Sequence, residues 1–339
     1  TSTAAPPPAA PTVTIWPTSN ATPITTDPYP IFQVTPIPGP TYTPTPQPVE
    51  AADIEAPAVR VIATYELPME QLELLSTATE ESAEFQLLGW TPDNKVLVQK
   101  VFYQDENGVS KQSGVEGPWQ VSPFTGEASL LENWDNPMRL SQAQQEFVDS
   151  LIANNMLPAG VQRAYQEDIV PNNQYIAITP TLGKIFIYEL GNNQPVMILP
   201  DSTEANYIRY GALPVWSPDG KSIMYSVALD DPTVDPPLDV KIMVTDIETR
   251  QTAQIDLPGA NIIALAWSPD SRYIAYVASL WKQAPFHLYI MNRDGTGTID
   301  ATPNPELWLS DKVFWSPQND LVAYTDSLNS IFVLQLSRN

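Results

Sequence analysis

The 339-residue sequence predicts an all-β fold: a β-propeller of four-stranded blades with one helical insertion, set behind an extended amino-terminal arm. Three observations predict it. A tryptophan-centred segment recurs along the chain, short apolar strand-like stretches surround each copy, and the composition changes abruptly near residue 57.

The arm, residues 1–57, is rich in Pro and Thr and carries one charged side chain, Asp27, before Glu50. Proline fixes φ, so such a segment is extended and semi-rigid. Two Pro-free windows interrupt it, Thr12 to Trp16 and Ile31 to Thr35, both rich in β-branched or aromatic residues. Strand alternation puts Val13 and Ile15 on one face of the first. Val13, Ile15, Trp16, Ile31, Phe32 and Val34 are therefore the expected anchors of the arm. Burying Ile31, Phe32 and Val34 returns about 5 to 9 kcal/mol. Ordering five residues costs about 5 to 10. One window breaks even, and two on one stiff arm do better because the second contact is intramolecular. Asn20-Ala21-Thr22 is an N-glycosylation pattern, and Thr41, Thr43 and Thr45 beside prolines are O-glycan candidates.

The propeller is expected over 58–339. Strong repeat copies begin at Val215 ("VWSPDGKSIMY"), Ala266 ("AWSPDSRYIAY") and Phe314 ("FWSPQNDLVAY"), with Trp216, Trp267 and Trp315 at steps of 51 and 48 residues. Weaker copies are "GWTPDNKVLV" from Gly89, with Trp90, Pro92 and Asp93, and "IVPNNQYIAI" from Ile169, where Ile169 is placed at the tryptophan position. The tetrapeptide has a local reason. Ser217 caps the turn, Pro218 presets φ, Asp219 suits the third position and Gly220 closes a type I turn. Ser268, Pro269 and Asp270, and then Ser316 and Pro317, repeat those roles. In the fourth copy "IIALAW", "YIAYVAS", "HLYIMN" and "IDATP" read as four successive strands, and a four-stranded unit at this period is a propeller blade. Each tryptophan is expected to pack on the neighbouring unit.

These "WSPD" and "WSPQ" segments resemble the repeats of TolB-like β-propellers, a family related to the propeller domains of prolyl oligopeptidases and dipeptidyl peptidases. The resemblance covers about Val59 to Leu336 and implies a closed ring of radial sheets. It departs in two ways: no amino-terminal α/β domain is recognisable, and the copy at Ile169 has neither Trp nor Gly.

Five copies predict five blades, with six, the usual number in that family, as the alternative. The last copy supplies three strands, so "VRVIATYEL" (Val59 to Leu67) is expected to complete it by pairing the two ends of the domain. The long step between the first and second copies holds an insertion, about 138–165. There "SQAQQEFVDSLIANN" puts Phe147, Leu151 and Ile152 at helical spacing behind a Ser141 cap.

With 39 Asp plus Glu against 16 Lys plus Arg, the formal net charge is -23. Such a field repels phosphate backbones and anionic membrane surfaces, which argues against nucleic acid and for cations as partners. The absence of cysteine excludes disulfides and thiolate chemistry. No run of about 18 apolar residues predicts membrane insertion. The opening "TSTAAPPPAAPTVTIW" reads as a mature exported chain, extracellular or at the cell surface.

Catalytic constellations are sparse. The one histidine, His287, has no Gly-x-Ser-x-Gly elbow with it, so no hydrolase triad is indicated. Asp230, Asp231, Asp235 and Asp239, with Glu167 and Asp168 elsewhere, offer oxygen ligands of the kind calcium takes. Their spacing matches no defined loop, and a solvated hairpin is the plainer reading. No cofactor is expected, and "NRDGTGTID" reads as a hairpin turn because a phosphate cradle needs a strand-to-helix setting.

Two functions remain. In one, the protein is a structural subunit of an extracellular homopolymer whose arm adds a strand to a neighbouring propeller. In the other, the arm is a stalk that presents the propeller as a secreted or surface-anchored binding module.

Overall fold

The structure is a computed structural model that describes residues 59–76, 83–106, 109–132, 140–157, 169–179, 184–200, 214–228, 239–258, 261–279, 285–304 and 306–338. The chain divides into two units, Thr1–Glu50 and Ala51–Asn339, and the second alone contains described residues. The expected anchors Val13, Ile15, Trp16, Ile31, Phe32 and Val34, the Asn20 pattern, and the acidic residues Glu167, Asp168, Asp230, Asp231 and Asp235 lie outside them.

Among the described residues, twenty strands form five four-stranded antiparallel sheets, the blades of a β-propeller. Blade 1 is β2 (Ala83–Trp90), β3 (Val96–Glu106), β4 (Val109–Val121) and β5 (Ala128–Leu130). Blade 2 is β6 (Ile169–Pro171), β7 (Tyr175–Ile178), β8 (Ile185–Glu189) and β9 (Met197–Leu199). Blade 3 is β10 (Val215–Trp216), β11 (Ser222–Ala228), β12 (Asp239–Asp246) and β13 (Thr252–Pro258). Blade 4 is β14 (Asn261–Trp267), β15 (Tyr273–Ser279), β16 (His287–Asn292) and β17 (Ile299–Asp300). Blade 5 is β18 (Leu309–Trp315), β19 (Leu321–Asp326) and β20 (Ile331–Arg338), completed by β1 (Val59–Glu66).

The expected closure is present. β1 runs antiparallel to β20 from Val59 opposite Arg338 to Glu66 opposite Phe332, with a bulge between Val61 and Ala63. The two ends of the domain thus share one sheet, and Tyr65 reinforces it by donating its hydroxyl to Gln335, 3.0 Å away.

The core lies between blades. Every residue of β15 is buried, because neighbouring sheets cover both of its faces. Such a strand reads as a continuous apolar run and does not alternate. Blades 4 and 5 share Val277, Leu288, Trp315 and Tyr324, while blades 3 and 4 share Ile242, Trp267, Ile274 and Tyr276. Blades 5 and 1 share Leu87, Val98, Val333 and Ala323; blades 2 and 3 share Ile187, Trp216 and Tyr225. The remaining face of blade 2 is covered differently. Ile176, Ile178 and Tyr188 pack on Phe147, Val148 and Leu151 of the helix α2 (Gln142–Ala153).

α2 begins at the expected Ser141. The Ser141 side chain accepts from the Gln144 amide, and Gln144 Oε1 accepts from the Ser141 amide, a capping box. One expectation is corrected: Ile152 is 43% exposed, and Val148 takes its place in the contact. The helix lies flat on blade 2, so its buried stripe centres on Val148 and Leu151 and turns Ile152 outwards. A second helix, α1 (Met69–Leu75), links blade 5 to blade 1. It is held by Lys100, whose buried ammonium lies 2.6 Å from Glu73 and beside the rings of Phe85 and Phe102. Pairing with an anion offsets the cost of removing that charge from water.

Candidate functional site

The predicted repeat residues come together as one recurring device at the turn between the first two strands of a blade. In blade 3 the Gly220 amide donates to the Ser217 carbonyl at 2.8 Å, closing the type I turn. The Ser217 hydroxyl donates to Asp219 (2.6 Å) and accepts from the Ser222 amide (2.9 Å), tying the turn to the strand that follows. Blade 4 repeats this with Ser268, Asp270 and Tyr273 at 2.7 and 2.9 Å, and blade 1 with Thr91, Asp93 and Lys95 at 2.5 and 3.0 Å. In blade 5 Gln318 stands at the acidic position, and Ser316 donates instead to Asp320, 3.1 Å away. Pro92, Pro218, Pro269 and Pro317 fill the second position throughout.

The fourth position is left-handed in all four turns, with φ of 61° at Asn94, 70° at Gly220, 57° at Ser271 and 62° at Asn319. This is the type I turn followed by a bulge that joins antiparallel strands through a short loop. Gly and Asn suit it; Ser271 occupies it at a steric cost.

The tryptophans are latches between blades. Trp267 Nε1 donates to the Val215 carbonyl at 3.2 Å, Trp216 to Val170 at 2.9 Å and Trp90 to Phe314 at 3.0 Å. Each acceptor is the residue just before the equivalent position in the preceding blade. Trp315 is the exception: its Nε1 is buried without a hydrogen-bond partner among the described residues. In blade 2 the latch is missing for a sequence reason. Pro171 sits opposite Ile176 as Trp216 sits opposite Ile223, so Pro171 occupies the tryptophan position and Ile169 lies two residues before it. The face beside it is the one that α2 covers.

A second series of latches was not anticipated. Arg250, Arg293 and Arg338 follow or end the third strand of blades 3, 4 and 5, and each reaches the preceding blade. Arg250 donates to the Val196 carbonyl (3.2 Å), Arg293 to the Ser222 hydroxyl (3.0 Å) and Arg338 to Asp270 (3.0 Å). Arg293 also lies over the Trp267 ring, and Arg338 over Tyr273. The three arginines stand at different repeat positions, four residues after Asp246, one after Asn292 and three after Gln335, which are equivalent by strand register, so no repeat signal marks them.

These contacts set the electrostatics of the turns. Asp219 is held below the usual carboxylate range first by the Ser217 hydroxyl, with the Lys221 amide and the charges of Lys221 and Arg293 adding to it. At Asp270 burial opposes ionisation, but the Ser268 hydroxyl, the Arg272 amide and the Arg338 guanidinium outweigh it and the pKa falls. Buried hydroxyls move the other way, and Tyr289 is pushed up to about 12 by burial and by the Asp300 charge.

His287 sits in β16, the third strand of its blade, with Nδ1 2.7 Å from Asp300, so the histidine belongs to the sheet. The stretch from Asn292 is a hairpin turn, closed by the Gly295 amide on the Asn292 carbonyl at 2.9 Å. No group of three or more His, Asp or Glu side chains able to hold a metal ion occurs among the described residues. Between blades 3 and 4 a groove of about 760 Å³ is lined by residues that include Asp246, Thr252, Arg272, Arg293 and Asp294.

No protein-family model matches the chain, and no curated protein matches it in sequence. Solved structures similar to it are β-propellers. They include the putative TolB from Agrobacterium tumefaciens, at 15% identity and a TM-score of 0.36 over 75% of this chain and 76% of that one. TolB from Acinetobacter baumannii is similar at 13% identity and a TM-score of 0.36, over 75% of this chain and 55% of that one. The β-propeller domain of Cps50 (Swd1) from Myceliophteria thermophila is similar at 12% identity and a TM-score of 0.38, over 74% and 83%. The five-blade architecture stands on the strand pairing described above.

Proposed function

We propose that the protein is an exported structural subunit, a TolB-like propeller whose Pro/Thr-rich arm docks on a neighbouring copy by strand addition to build an extracellular homopolymer. One observation carries this reading. The segment next to the arm, β1, binds in this way within the domain: it is added to the outer edge of β20, across nearly the whole length of the chain. That pairing supports the reading that an exposed strand edge of this fold takes an extended segment, and the arm offers two further Pro-free windows of strand-forming residues. A head-to-tail contact that does not close on itself propagates as a filament. The strong negative charge opposes approach of subunits, so salt or divalent cations favour assembly.

The test is deletion of residues 1–50. The expected result is a folded monomer by light scattering, against polymers for the full chain; polymers that persist without the arm would overturn the reading. A second reading, a binding module on a stalk, is favoured by the groove between blades 3 and 4, where Arg272 and Arg293 meet Asp246 and Asp294. If the full chain stays monomeric at every salt and divalent-cation concentration, the stalk reading replaces the first.

A further inference from the structure

We propose that the outer edge of β13 in blade 3 is the acceptor, and that the segment Thr12–Trp16 from a second copy of the chain is the strand added there. This rests on the assembly reading above and specifies its interface.

The five outer strands are not equivalent. β5, β9 and β17 have 3, 3 and 2 residues, too few for a stable ladder. β1 has 8, but it is bulged between Val61 and Ala63 and exposes Arg60 and Glu66, devices that blunt an edge. β13 has 7 residues and pairs with β12 from Thr252 to Pro258 without a register shift. Its one formal charge, Asp256, is 3.3 Å from Lys241. It is a long, regular edge with no strand on its outer side among the described residues.

The phase of the ladder identifies the free groups. The Asp246 amide donates to the Gln251 carbonyl at 2.9 Å, so these two residues form a hydrogen-bonded pair. Alternation then turns the N–H and C=O of Ala253, Ile255 and Leu257 towards β12, and those of Thr252, Gln254 and Asp256 outwards. Pro258, which has no N–H, ends the edge.

The side chains select the occupant. In β13 Thr252, Ala253, Gln254 and Asp256 are exposed, while Ile255 and Leu257 pack towards blade 4. In Thr12–Trp16 alternation puts Thr12, Thr14 and Trp16 on one face and Val13 and Ile15 on the other, so an antiparallel strand with Thr14 opposite Gln254 sets Thr12 against Asp256 and Trp16 against Thr252 while Val13 and Ile15 extend the apolar face. In the same register, with Gln33 opposite Gln254, the segment Ile31–Thr35 would set the apolar Ile31 against the Asp256 carboxylate. Pro11 and Pro17 bracket the first segment and limit the added strand to five residues, and it is uncharged, so it meets the acidic propeller without repulsion.

The chain has no cysteine, so introduced thiols report cleanly. A Thr14→Cys chain is mixed with a Gln254→Cys chain under salt that supports assembly, oxidised, and compared with the same mixture using Ile62→Cys on β1. The expected result is an inter-chain disulfide with Gln254→Cys about tenfold above the Ile62→Cys control, since cross-strand neighbours meet disulfide geometry. Cross-linking to Ile62→Cys alone overturns β13 as acceptor and leaves the assembly reading standing. A disulfide that forms only within a chain carrying both Thr14→Cys and Gln254→Cys overturns the second copy as the source of the strand. No disulfide in any mixture, with polymers unaffected by deletion of 1–50, overturns both. In addition, Gln254→Pro removes an outward N–H and none used by β12. It should raise the concentration needed for assembly about tenfold with the unfolding midpoint of the monomer unchanged, and an unchanged assembly concentration would overturn the proposal.

Discussion

The indole Nε1 of Trp267 donates to the main-chain carbonyl of Val215, 3.2 Å away in the preceding blade. A motif that reads as turn chemistry therefore also sets the spacing between blades. Trp267→Phe keeps most of the buried ring but removes this hydrogen bond, the second that the Val215 carbonyl accepts beside its ladder bond to Met224, at a cost of about 0.5 to 1.5 kcal/mol. Trp315→Phe removes a donor that has no partner among the described residues, so the same substitution there should cost less. Urea unfolding of the two variants checks the difference, and equal losses would show that the indole donor contributes nothing.

Ser271 holds φ at 57°, where Gly220 holds 70° in the preceding blade. A left-handed non-glycine residue pays about 1 to 2 kcal/mol, and glycine gives back about 0.5 to 1 in chain entropy. Ser271→Gly should therefore stabilise the protein by about 0.5 to 1 kcal/mol, and Gly220→Ala should destabilise it by a similar amount. Denaturant midpoints at constant m-value read both.

The Asp219 carboxyl, held down by the Ser217 hydroxyl, has a lower pKa folded than unfolded. Its contribution is complete above the unfolded value of about 4 and is lost as the pH falls through the folded value. Asp219→Asn should therefore cost stability at pH 7 and converge with the parent as the pH falls through the folded value. Urea midpoints from pH 7 down to pH 2.5 test the sign. A gap that widens on acidification would contradict the assignment.

Removing residues 1–50 leaves β1 in place, whereas a chain starting at Leu67 uncovers the edge of β20 from Ile331 to Arg338. The first should unfold cooperatively, and the second should self-associate or lose its cooperative transition. Calorimetry and sedimentation distinguish them, and an intact transition from Leu67 onwards would mean that β1 is dispensable.

The parts of the fold legible in the sequence were those with strong local chemistry. The turn tetrapeptides, the Ser141 cap and the run "VRVIATYEL" each announce their own conformation, and the repeat supplies the blade. Less was legible where tertiary geometry decides. Ile152 fits a helical stripe as well as Val148 does, and only the way α2 lies on blade 2 separates them. The turn from Pro171 to Tyr175 is shorter than its counterparts, so spacing along the chain hides the equivalence of Pro171 with the tryptophans that strand register reveals. Lys100 and the three latch arginines carry no local signature. Their partners are distant in sequence, Glu73 by 27 positions and Asp270 by 68, so no local pattern reveals the pairing.

Mechanical load adds a last consequence of the pairing of Val59 with Arg338. Any tension transmitted along residues before Val59 falls first on the ladder between β1 and β20. A pull along the strand axis must slide the whole ladder at once, whereas a pull across it opens the pairs one after another, starting at Val59. The direction in which a tether leaves the domain would thus decide how much force the protein bears before its fifth blade comes apart.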